Sequence, residues 1–97
     1  MNITINENKL FDEVLFCKSN NSSSMLLKIK VDQKQTVQEI MGKLNAICNI
    51  FGNTLHITVK DHYQVALILF LFNAYDKIIG ESYFEFCESI QNDTKGI

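Results

Sequence analysis

"TVQEIMGKLNAICNIFG", residues 36–52, is the stretch on which the reading of the fold turns. Val37, Ile40, Met41, Leu44, Ile47, Cys48 and Phe51 recur at the spacing that gathers apolar side chains on one face of a helix. Thr36 and Glu39 stand three apart, as in a capping box, in which the two side chains and the two backbone amides satisfy one another. Gly52 and Asn53 supply a stop signal. The stretch predicts one long helix. The patterns on either side of it are strands. "MLLKIKV" (25–31) puts Leu27, Ile29 and Val31 on one side, and "TLHITVK" (54–60) alternates apolar and polar residues.

Working outward, "MNITI" (1–5) alternates and predicts a short strand. Leu10, Phe11, Val14 and Leu15 share a helical face, predicting a short helix that begins near Asn8 or Lys9; a strand through "EVLFC" competes with it. "SNNSSS" (19–24) reads as a loop. Asp61 suits the cap of a helix that runs to about Ile79 before Gly80. In "ESYFEFCESI", Glu81, Glu85 and Glu88 fall on one helical face, with Tyr83, Phe86, Cys87 and Ile90 towards the other. Strands and helices mixed in this order predict an α+β sandwich, a small sheet covered by helices on one side.

Composition narrows the function classes. Ninety-seven residues make one domain, and a hydrophobic fraction of 46% favours a packed core over disorder. A net charge of -2 gives no basic surface for nucleic acid. All nine basic residues are lysine, so the planar fork with which arginine grips phosphate or carboxylate is missing. Cys17, Cys48 and Cys87 lie far apart in sequence and suit reduced, partly buried thiols rather than a disulfide frame or a metal site. The run "VALILFLF" (65–72) is far shorter than the ~20 residues that span a bilayer, and no leader pattern opens the chain. The expectation is a cytoplasmic protein with no membrane insertion, no metal and no cofactor.

From "MLLKIKVDQKQTVQEIMGKL" through "GNTLHITVKDHYQVALILFLFNAY", about residues 25–79, the chain resembles HPr, the phosphocarrier family of the bacterial sugar phosphotransferase system. That family has "SIMG" opening a helix and then a "G-x-x-(I/V)-T-I" strand; here "EIMG" and "GNTLHITV" stand in those places. The resemblance implies a four-stranded antiparallel sheet backed by three helices. It divides the chain into an HPr-like domain, 1–80, and a C-terminal helical extension, 81–97, packing on the same domain. It also implies a role beside sugar uptake or its regulation.

The departures from the family matter as much. The family's carrier histidine sits in a loop within "G-(I/L)-H-A-R-P-A", and alignment by length puts Asn8, Lys9 and Leu10 there. A phosphoryl acceptor needs an exposed imidazole flanked by groups that hold the phosphate oxygens, and Asn8 offers no nucleophile. The two histidines, His56 in a strand pattern and His62 at a helix start, lie elsewhere in the chain. Glu39 stands where many Gram-positive members carry a regulatory serine; its carboxylate either closes a cap or supplies a fixed negative charge in place of a phosphate. Ile40, Met41 and Leu44 match the family's partner-docking patch, and the same spacing suits plain core packing.

No phosphate loop, metal-ligand spacing or serine–histidine–aspartate set occurs, so the sequence offers no enzyme chemistry. The expectation is a non-catalytic regulator or adaptor that works by protein contact. Alternatives are a phosphocarrier acting through His56 or His62 and an unrelated α+β interaction or inhibitor module. The helix 61–79 is apolar all round from Val65 to Phe72, so something must cover Ile68, Leu69, Phe72 or their neighbours. Segment 81–91 folding back on it is the first candidate, and a homodimer or a protein partner is the rival.

Overall fold

The computed structural model describes residues 10–19, 22–43 and 47–95, with the backbone alone over 91–95. The elements are β1 Phe11–Ser19, β2 Ser22–Ile29, α1 Lys34–Lys43, β3 Cys48–Phe51, β4 Thr54–Val59, α2 His62–Phe72 and α3 Tyr83–Lys95, with a turn of 3-10 helix at Tyr75–Lys77. The strands lie in the order β1-β2-β4-β3, and every neighbouring pair is antiparallel. Over the described residues the chain is therefore α+β, with a four-stranded antiparallel sheet and three α-helices. It is built as two hairpins linked by a helix and followed by two more helices. The expected first strand, 1–5, lies outside the described residues.

Residues 10–17 form a strand, not the expected helix, and the sheet register explains the misleading spacing. Phe11 pairs with Ile29, but Glu13 pairs with Lys28, so Asp12 is the extra residue of a bulge. The bulge resets the alternation, and Phe11, Val14 and Phe16 all face the core. An inward pair three residues apart followed by one two apart imitates a helical face.

The serine-rich stretch 19–24 is also mostly strand. Ser19 faces Ser22 with their Oγ atoms 2.8 Å apart, and Ser23 and Ser24 are buried between β1 and β4. Pairing on both sides overrides the weak strand preference of serine. Leu27 and Ile29 point inward as the alternation predicts, but the strand ends at Ile29 and Val31 is 85% exposed.

The long helix expected over 36–51 is two elements. α1 starts at Lys34, its first helical hydrogen bond running from the Val37 amide to the Gln33 carbonyl at 3.0 Å, and ends at Lys43. Residues 48–51 instead form the outer strand β3, with Cys48 and Ile50 turned towards the core. Gly52 has φ +60 and Asn53 follows it: Gly-Asn is a two-residue hairpin turn between β3 and β4, not a helix stop. The amide of Ile29 donates to the Asn53 carbonyl at 2.7 Å, fixing the turn to the end of β2.

α2 begins as expected, the Asp61 carboxylate accepting from the Gln64 amide at 2.9 Å. It stops at Phe72, well before Ile79, because Asn73 adopts a left-handed conformation and the amides of Asn73 and Ala74 turn back to the carbonyls of Phe70 and Leu69. The chain then returns to the sheet edge, where Ile78 bridges Val14 and the Ile79 amide donates to the Val14 carbonyl at 2.9 Å. α3 opens at Ser82, whose Oγ accepts from the Glu85 amide at 3.1 Å.

One core results. Met25, Leu27, Leu55 and Ile57 from the central strands lie fully buried with Val37, Val65, Leu69 and Phe86 from the helices. Each such side chain contributes roughly 1.5–3 kcal/mol on leaving water. The opposite face of the sheet, carrying Glu13, Leu15, Lys28, His56 and Phe51, is half-buried or exposed. The helices cover one side only.

Candidate protein-contact surface

The phase of α2 is set by its inward residues, Val65, Ile68, Leu69 and Phe72, which follow the spacing of a single helical face. The helix has no acidic residue, lysine or arginine, and the side chains it turns outward beyond its first turn are apolar. Tyr63 is 73% exposed, Leu67 56%, Phe70 75% and Leu71 49%. These four follow one another at intervals of four, three and one, which keeps them together on the surface. α3 packs against α2 but does not cover this face.

The patch continues past the helix. The Tyr75 hydroxyl donates to the Ala66 carbonyl at 3.4 Å, and the Tyr75 ring meets Tyr83 edge-on at 5.8 Å. Tyr83 in turn meets Phe84 at 5.4 Å, and Phe84 is 79% exposed. Burial raises the Tyr83 hydroxyl above its usual range, with the neighbouring Cys87 adding to the effect. Burial likewise pushes the Cys87 thiol up, outweighing the hydrogen bond to Tyr83 that lowers it. Cys87 is thus a protonated packing group rather than a reactive thiolate.

The residues singled out in the sequence do not converge. Asn8, Lys9 and Leu44 lie outside the described residues. Leu10 is half-buried at the start of β1, its carbonyl accepting from the Lys30 amide at 2.8 Å. Glu39 is exposed in the second turn of α1, so the expected Thr36–Glu39 capping box does not form. Met41 is buried and Ile40 half-buried, both packed into the core, and "IMG" sits late in α1 rather than opening it. His56 lies on the open sheet face with its ring 6.3 Å from Phe51; His62, at the first position of α2, lies 4.0 Å from the Tyr63 ring.

Elsewhere, Glu13, Leu15, Leu26, Lys28, Asn53 and Thr54 line a shallow depression of about 200 Å³ on the open face. Among the described residues no three histidine, cysteine or acidic side chains are grouped to hold a metal, and no helix is long and apolar enough to cross a membrane. The sequence shows that α2 is too apolar for one buried side and points to Ile68, Leu69, Phe72 or their neighbours; those three face inward, and the neighbours Leu67, Phe70 and Leu71 face outward. The outward set became legible only once the inward phase was fixed, and Phe84 carried no periodic signal at all. Comparison with protein-family models, with curated proteins and with solved structures found no match.

Proposed function

We propose that the protein is a non-catalytic interaction module that works by docking the outer face of α2 against another polypeptide. The observation that carries this reading is the run of Tyr63, Leu67, Phe70 and Leu71, all about half exposed or more, on a helix with no acidic residue, lysine or arginine. Contiguous apolar surface with aromatic anchors is the composition of interface cores, and a water-facing helix ordinarily carries polar residues there. A role beside the sugar phosphotransferase system is a narrower form of the proposal. It rests on the sequence pattern of 25–79 alone and gains nothing from the element order, because a strand stands where the resemblance implies the first helix. Phosphocarriage through His56 or His62 has the least support, since the two rings sit on different elements and the chain has no arginine to hold a phosphate.

The test is a photo-crosslinking amino acid at position 67, with position 39 on α1 as the control. Irradiation in the producing cells is expected to join position 67, and not position 39, to a polypeptide. Uncrosslinked chain at position 67, or equal yields at both positions, would sink the proposal.

A further inference from the structure

We infer that the polypeptide seated on α2 is a second copy of the same chain, the two helices packing antiparallel about a twofold axis near Leu67. This rests on the docking face proposed above and names its occupant.

Area is the first argument. An aromatic side chain carries ~150–250 Å² of surface. Tyr63, Phe70 and Phe84, with smaller shares from Leu67, Leu71 and Tyr75, therefore offer on the order of 700 Å² per copy. That is close to the ~800 Å² per partner of a standard stable interface, and it exceeds the ~300–600 Å² of the largest apolar patch on an ordinary monomer. It is also about a tenth of the 6675 Å² surface of the chain, the usual share for such an interface.

Charge is the second. A partner with charged groups at the centre would bury them unpaired against α2, whereas a copy of α2 brings none. Antiparallel packing about Leu67 sets Tyr63 of each copy against Leu71 of the other. A twofold contact requires a surface complementary to itself, and this one meets the requirement.

The experiment is sedimentation velocity of the whole chain from low to high micromolar concentration, beside Leu67→Glu, Phe70→Glu and, on the opposite sheet face, Phe51→Glu. The expected wild-type mass rises from 11.1 kDa to twice that value with concentration. Leu67→Glu and Phe70→Glu each weaken the dimer at least about a hundredfold, with an unchanged circular dichroism spectrum, because each charge is buried twice; Phe51→Glu leaves it intact. A monomer at every concentration overturns the inference, as does a dimer that only Phe51→Glu dissolves. If the chain is monomeric while position 67 still crosslinks to a different protein, the occupant is wrong and the docking face stands. If position 67 crosslinks to nothing, both fall.

Discussion

Phe16 and Phe86 stack with ring centroids 4.4 Å apart and planes 12° from parallel, pinning α3 to the edge strand β1. Phe86 is fully buried and Phe16 nearly so. Beside them, the Lys18 ammonium donates to the Ser89 carbonyl at 3.0 Å. The Phe16–Phe86 stack, the edge-on contact of Tyr75 with Tyr83, the burial of Ile90 and this hydrogen bond at the rim all hold α3 in place.

Phe86→Ala is expected to cost about 3–5 kcal/mol, since truncating a buried phenylalanine loses transfer energy and leaves a cavity. That is a large part of the ~5–15 kcal/mol of a whole domain. Urea unfolding should show the midpoint fall sharply. A shift equivalent to less than about 1 kcal/mol would mean that α3 is not part of the cooperative unit.

The two acidic residues read as helix caps in the sequence should behave differently. Asp61→Ala removes the acceptor of the Gln64 amide and is expected to cost about 1 kcal/mol, lowering Tm by roughly 4–8 °C. Glu39→Gln, at an exposed position beyond the first turn of α1, should stay within about 0.5 kcal/mol of wild type. Equal losses would restore the Thr36–Glu39 capping box.

Gly42 and Gly52 give an opposed pair. Neither has an atom within 4 Å of where a Cβ would stand, so only the backbone decides. Gly52 lies at φ +60, and alanine there is expected to cost about 1–2 kcal/mol. Gly42 lies in α1, and alanine should stabilise by about 0.5 kcal/mol through helix preference. Thermal melts of the two variants moving in the same direction would contradict the division of 36–52 into helix and hairpin.

Cys87 predicts an alkaline dependence. Its folded-state thiol is raised, so the folded chain holds the proton more tightly than the unfolded one. The resulting stabilisation is complete below the ordinary thiol range and is lost as pH rises through and above it. Cys87→Ala should flatten that part of the profile of urea midpoint against pH. In labelling with iodoacetamide at mildly alkaline pH, exposed Cys17 should react before Cys87. The reverse order would contradict the burial described.

Much of the covered half of the molecule was legible in the sequence. The β2 and β4 alternations, the Asp61 cap and the two faces of α3 were readable, because each rests on a local pattern with a single physical meaning. The misread segments carry signals with two meanings. Phe11 and Val14 fit a helix face or a bulged strand, and only pairing with β2, which turns Phe16 inward and Leu15 outward, distinguishes them. Gly52-Asn53 fits a helix stop or a hairpin turn, and β4 decides in favour of the turn. The early end of α2 hangs on Asn73 turning left-handed, which asparagine tolerates without requiring it. As for the contact face, the sequence announced an excess of apolar surface but not its direction, since an uncharged helix has no polar stripe to mark the outside.

The order β1-β2-β4-β3 also sets a timetable for assembly. Each outer pair joins neighbouring stretches of chain and can close on the ~1–10 μs scale of an isolated hairpin. The central seam, where Met25 meets Ile57, cannot zip until the chain carrying α1 has looped back, so the slow step belongs there. Met25→Ala should therefore retard refolding in stopped-flow, whereas Ile50→Ala on the outer strand should chiefly hasten unfolding. Matching effects of the two on refolding would place the nucleus elsewhere. Until the seam closes, both hairpins carry bare strand edges, and crowding of nascent chains is most hazardous in that interval.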